Sequence, residues 1–165
     1  MIINVRFYGK GMGIVDAHTK ERLNQMNRQS REMDSLYHKV ALRFGMSDCA
    51  FWILYVLISE EGELTQQDLC EQWNFIKQTL NSAVNGLCRK GYLILEQVPG
   101  TKNRKILRLT KAGMDYAKGN VLKVIEAEQA ALDRMENGQF HQLLKLKRKS
   151  LELLSEEFEK LYDSF

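Results

Sequence analysis

Apolar side chains set distinct rhythms along this chain. Over residues 16–43, Leu23, Met26, Ser30, Met33, Tyr37, Val40 and Phe44 alternate steps of three and four, the seam of a helix packed lengthwise against another. The last stretch repeats it, with Leu144, Leu151, Leu154, Phe158, Leu161 and Phe165 on the seam and Lys147 in its one polar position. Between these ends, residues 50–58 are apolar on every side and predict a buried helix, closed by Glu60-Glu61-Gly62. Two long seams flanking a compact middle suggest ends that pack together, and a symmetric dimer buries them better than one chain does.

Residues 64–110 change rhythm. Leu64-Thr65-Gln66-Gln67-Asp68 offers an N-cap threonine with an acidic residue three positions on, opening a short helix that carries Leu69 and Trp73. A second helix, 75–90, divides by angle at about 100° per residue. Ile76, Leu80, Val84 and Leu87 predict its buried stripe, and Gln78, Ser82, Asn85 and Arg89 its outer row. Gly91 is placed to stop it. Tyr92-Leu93-Ile94-Leu95 and Lys105-Ile106-Leu107-Arg108-Leu109, separated by Val98-Pro99-Gly100-Thr101, predict a β-hairpin with a cationic tip at Lys102-Asn103-Arg104-Lys105. Thr110 then caps a helix expected to run unbroken through Val121, Val124, Ile125, Leu132 and Met135 to Asn137-Gly138. Two short helices of this kind form a helix-turn-helix, and the whole reads as mostly α with a small β-hairpin.

The chemistry of the outer row changes the picture. A solvated helix face ordinarily carries Glu and Lys pairs; this one carries amides, a hydroxyl and a guanidinium, groups that read base edges. A polar surface with no partner fits the helix alone equally well. Charge separates the two. Over residues 74–111, Lys77, Arg89, Lys90, Lys102, Arg104, Lys105, Arg108 and Lys111 are opposed only by Glu96, although the whole chain is only +3. Positive charge concentrated beside an uncharged reading face is the footprint of a nucleic-acid binder.

Other classes find little support. Cys49, Cys70 and Cys88 form no C-x-x-C and lie near no histidine at metal-ligand spacing, which fits a reducing, cytoplasmic setting. His18, His38 and His141 are scattered, though helices can bring His38 and His141 together. No catalytic residue, metal or cofactor is assigned, and an enzyme is not expected. The longest apolar run is half the ~18 residues of a membrane span, and no signal peptide is expected. Gly9, Gly11 and Gly13 around Lys10 lack the spacing of a phosphate loop, so residues 1–15 read as a loose arm.

In this order the elements resemble the MarR (multiple-antibiotic-resistance regulator) winged-helix repressors over about residues 20–162. The carrying stretches are Leu64-Thr65-Gln66-Gln67-Asp68-Leu69, Lys77-Gln78-Thr79-Leu80-Asn81, Arg89-Lys90-Gly91-Tyr92-Leu93 and Leu109-Thr110-Lys111-Ala112-Gly113. The resemblance implies a winged helix-turn-helix at 49–113 and a helical dimerisation region at 16–48 and 114–165. It also implies a cytoplasmic homodimer that binds a palindromic double-stranded operator and represses transcription. Recognition-helix contacts carry over to Gln78, Thr79, Asn81, Ser82 and Asn85, and the wing arginine to Arg104. Thr101-Lys102-Asn103 stand where the family more often has an acidic residue. Charge adds Lys77, Arg89, Lys102 and Lys105 to the expected DNA contacts, and Asn103 joins them by its place in the wing tip.

Family members often release DNA when a small anionic or aromatic effector enters a cleft. Tyr37, Phe44, Phe51, Trp52 and Tyr55 are the candidate lining here, with core packing as the plainer reading. Two alternatives remain: a redox-responsive regulator acting through Cys88, on the flank of the recognition helix, and a winged helix that docks protein rather than DNA.

Overall fold

The computed structural model describes residues 16–101 and 104–163. The arm expected at 1–15, together with Lys102, Asn103 and Phe165, lies outside the described residues. The chain divides between Asn120 and Val121 into two compact units.

The first unit runs α1 (Ala17–Arg43), α2 (Asp48–Ser59), α3 (Gln66–Gln72), α4 (Lys77–Arg89), β1 (Leu93–Gln97), β2 (Lys105–Leu109) and α5 (Lys111–Gly119). Asp16 caps α1 by accepting from the Thr19 amide, and Ser47 caps α2 by accepting from that of Ala50. The all-apolar α2 is central: Phe51, Ile53, Leu54 and Val56 are fully buried, joined in the core by Leu69 of α3, Leu80 and Val84 of α4, and Leu93 and Leu107 of the hairpin. β1 and β2 pair antiparallel with Leu93 opposite Leu109 and Gln97 opposite Lys105. Thr65 forms an isolated bridge to Ile106, tying the start of α3 to the hairpin.

Local chemistry fixes α3. The Thr65 hydroxyl accepts from the Asp68 amide at 3.2 Å and donates to the Asp68 carboxylate at 2.6 Å, while the Thr65 amide donates to the same carboxylate at 2.7 Å. That reciprocal pair is the capping box anticipated at Thr65-Gln66-Gln67-Asp68. Thr65→Ala therefore costs about 1–2 kcal/mol, read as a lower denaturant midpoint. The hydroxyl and amide of Thr65, with Arg104 beyond them, hold the Asp68 carboxyl below its ordinary pKa. A depressed folded-state pKa contributes stability that is present above the unfolded carboxylate value near ~4 and lost as pH falls through the folded one. Asp68→Asn should remove part of that acid sensitivity in urea melts between pH 5 and 2.5; an unchanged pH slope would contradict this role.

Two expectations need correction. The stripe Leu80, Val84, Leu87 is buried, but Ile76 is 67% exposed. Ile76 is the N-cap, with extended backbone, so its side chain does not lie in register with the helix that begins one residue later. The helix expected from Thr110 to Met135 is broken at Asn120, where the backbone leaves helical geometry and the Asn120 side chain donates to the Tyr116 carbonyl at 2.9 Å. Gly119-Asn120 pairs two weak helix formers, and the apolar periodicity on either side concealed the interruption.

The end of α1 is tied to both neighbouring helices. The Tyr116 hydroxyl on α5 donates to the Phe44 carbonyl at 2.5 Å, and the Lys90 ammonium after α4 donates to the Gly45 carbonyl at 3.4 Å. Tyr116 also stacks on Tyr92, with ring centroids 4.5 Å apart. These contacts set where α4 stands relative to the α1–α2 corner.

The second unit contains α6 (Val121–Asp133) and α7 (Gln139–Tyr162), the latter capped by Gly138 with φ 87°. No residue of α7 is buried, and Leu144, Leu151, Leu154, Phe158 and Leu161 are all exposed. Along α1 the seam residues Leu23, Met26 and Met33 are likewise exposed. No single helix among the described residues is long and apolar enough to cross a membrane.

Candidate nucleic-acid interface

α4 is held from below and open above. Leu80, Val84 and Leu87 anchor it on the core, and Gln78, Ser82, Asn85 and Arg89 are all exposed on the opposite side. At 1.5 Å per residue that row spans roughly 16 Å, about three helical turns of α4. Lys77, Thr79 and Asn81 are also exposed. Gly91, at φ 72°, ends the helix where glycine was expected to. The turn before α4 contains Asn74 at φ 53°, a left-handed conformation that asparagine tolerates better than most residues.

The cations divide into held and unpaired groups. Arg108 lies between Glu96, diagonally across the hairpin, and Glu63, and bonds both. Glu63 lies 45 residues earlier in sequence, outside the stretch in which the charge was counted. Lys111 pairs with Asp115 at 2.9 Å and Arg104 approaches Asp68 at 3.5 Å. Arg104 nonetheless remains half exposed at the wing. Lys77, Arg89 and Lys105 are exposed and form no ion pair among the described residues. The positive field of the stretch is thus smaller than its sequence count implies, and among the described residues it is carried by α4 and the base of the wing.

Sequence reading missed Gln66. At the first position of α3, its Nε2 donates to Oδ1 of Asn81 at 2.9 Å. A glutamine just after an N-cap has no periodic signature, so nothing in the pattern singled it out. The wing has its own support: Gln97 Nε2 donates to the Thr101 and Arg104 carbonyls, at 2.8 and 3.1 Å.

Most of the rings named as a candidate pocket lining pack on one another, the plainer of the two readings, and only Trp52 among them also lines the cleft at the turn before α4. Tyr37, Phe51, Trp52 and Tyr55 form a continuous cluster, with Tyr37–Trp52 centroids 4.7 Å apart and Phe51 fully buried. That cleft, of about 380 Å³, is lined by Cys49, Trp52, Trp73, Asn74, Phe75, Ile76 and Thr79. The three cysteines are free and half-buried. Burial, with the Cys70 thiol beside it, pushes Cys49 up to about 11, and burial alone raises Cys88. A thiol held protonated is a poor nucleophile toward oxidants. His38 bonds Asp48 at 2.9 Å, and no group of three or more His, Cys, Asp or Glu among the described residues is placed to hold a metal ion.

Comparison with known proteins follows the same lines. Residues 44–102 match the model of the MarR family. Among solved structures, a MarR-family regulator from Neisseria meningitidis is 19% identical, with a TM-score of 0.70 over 84% of this chain and 97% of that one. A MarR-family transcriptional regulator from Streptomyces coelicolor, solved in complex with DNA, is 18% identical, with a TM-score of 0.69 over 84% and 89%. The S. aureus MepR–DNA complex is 21% identical, with a TM-score of 0.65 over 82% and 98%. At these identities the likeness establishes the fold. No curated protein matches the sequence.

Proposed function

From a chain that carries a MarR-family winged helix, we propose a sequence-specific double-stranded DNA-binding regulator of transcription that acts as a homodimer on a palindromic operator and represses. The observation that carries this reading is α4 itself: a helix anchored on the core by one stripe, whose exposed row is amides, a hydroxyl and an arginine, flanked by unpaired Lys77 and Lys105. Gln78, Ser82 and Asn85 supply base discrimination from the major groove, at ~1–3 kcal/mol for each good bidentate contact. Lys77, Thr79, Arg89 and Lys105, with Lys102, Asn103 and Arg104 of the wing, bind phosphates and give the steep salt dependence of such complexes. A MarR-family regulator and MepR, both of similar fold and both solved on DNA, support the same assignment.

The dimer is supported by what each terminal seam leaves uncovered. Leucine, methionine and phenylalanine repeat along exposed faces of α1 and of α7, more apolar surface than a monomer ordinarily leaves to water. In this reading the dimerisation region is 16–48 and 114–165, and the winged helix 49–113. A twofold axis then sets two half-sites about one duplex turn apart. Effector release finds support in the cleft before α4, whose two indoles suit a small aromatic ligand and whose wall includes Thr79 of the reading helix.

Two substitutions separate the contact classes. Arg104→Ala should weaken binding to all sequences alike and flatten the dependence of affinity on salt, by about one unit of slope for each phosphate left without its cation. Asn85→Ala should relax preference at one operator position and leave the slope unchanged. Titrations of both on operator and random duplex check this; a fall in general affinity alone for both variants would contradict the division.

A further inference from the structure

Asn81 stands on the flank of α4 that faces α3, and its side-chain oxygen accepts from Gln66 Nε2. The donor sits on a fixed platform. Gln66 follows Thr65, which is 4% exposed, closed into the capping box and bridged to Ile106 of β2. Leu64 adds a second tie, its carbonyl accepting from the Leu107 amide at 2.8 Å. An asparagine whose oxygen accepts from α3 has one of its two lone pairs engaged and that oxygen turned toward α3, while both Nδ2 hydrogens stay free to offer elsewhere.

That orientation bears on which base it addresses. Asparagine reads adenine best with oxygen and nitrogen together, accepting from N6 and donating to N7. An amide that presents only its donor keeps the N7 bond alone and leaves N6 unmet, whereas guanine O6 and N7 or thymine O4 are served by a donor alone. We infer that Gln66, outside the reading helix, is a specificity-determining positioning residue: it holds Asn81 as a donor, so the base opposite Asn81 is guanine or thymine rather than adenine. This rests on the proposed DNA-binding function. It also gives α3 and the wing a part in base choice, since the platform under Gln66 is the same capping box that Arg104 approaches through Asp68.

The test is selection from a randomised duplex library by the full-length protein, followed by sequencing, for wild type, Asn81→Ala, Gln66→Ala and Gln66→Glu. Asn81→Ala identifies the operator position concerned. The wild type should enrich guanine or thymine there. Gln66→Ala frees the amide to turn and should raise the relative enrichment of adenine about three- to tenfold, the span of one hydrogen bond's net contribution. Gln66→Glu accepts instead of donating, turns the amide over and should move the preference toward bases that donate, cytosine N4 or adenine N6. Adenine enriched by the wild type at that position, Asn81→Ala altering no position or weakening all sequences alike, or both Gln66 variants leaving the preference as it was would each overturn the inference while leaving the DNA-binding reading intact. A wild type that enriches no sequence at all would overturn both.

Discussion

Gly113→Ala destabilises the first unit by about 3 kcal/mol or more and lowers Tm by about 10 °C, an overpacking penalty that cannot relax cheaply. A Cβ at Gly113 would stand 2.0 Å from the Tyr92 carbonyl oxygen and 2.8 Å from its carbon, so backbone rather than a pliable side chain is in the way. The junction has no slack. The Tyr92 carbonyl accepts from the Thr110 amide at 3.0 Å, and the Thr110 hydroxyl donates to the Gly91 carbonyl at 2.6 Å while accepting from the Gly113 amide at 3.0 Å. Moving α5 away to admit a methyl group breaks these bonds and the Tyr92–Tyr116 stack together. Gly119→Ala, in the same helix with nothing within 4 Å of the added atom, is the control and should be neutral or slightly stabilising. Thermal melts of the two variants check the contrast; equal melting temperatures would contradict the packing described.

The second large effect belongs to the dimer. Leu151→Glu with Leu154→Glu places two carboxylates on the exposed seam of α7, where both leucines are at least half exposed in the isolated chain. Circular dichroism should therefore stay close to wild type. Sedimentation should report a monomer, because charge cannot be buried against a second seam without a partner. Operator affinity should fall about 10²–10⁴-fold, the advantage that disappears when two tethered half-sites become one. A variant that remains dimeric, or that turns monomeric with unchanged affinity, would contradict the arrangement proposed.

Much of the fold was legible because its signals are local. The Leu80, Val84, Leu87 stripe, the stop at Gly91, the Thr65 cap and the cap at Thr110 each depend on residues within a few positions of one another, and each is formed as expected. The misreadings sit at boundaries. Ile76 fits the helical period but precedes the first turn, and the apolar run through Val121 and Val124 continues across a break that only Gly119-Asn120 marks.

The candidate site was legible in residue type and not in pairing. Polar groups on α4 and the hairpin announce themselves by type and spacing, whereas the partners that restrain them come from 15 to 45 residues away: Gln66 on Asn81, Asp68 at Arg104, Glu63 on Arg108. No periodicity encodes those meetings. They are why the positive stretch overstates the available charge, and why a residue of α3 that holds an amide of α4 escaped notice.

Fluorescence anisotropy of a labelled duplex, titrated with the full-length protein from about 50 to 200 mM salt, tests the central claim most directly. The account predicts binding to random duplex at the low end that falls steeply as salt rises, and tighter, saturable binding of two chains to a selected palindrome. Protein that leaves both duplexes unbound at about 50 mM salt would contradict it.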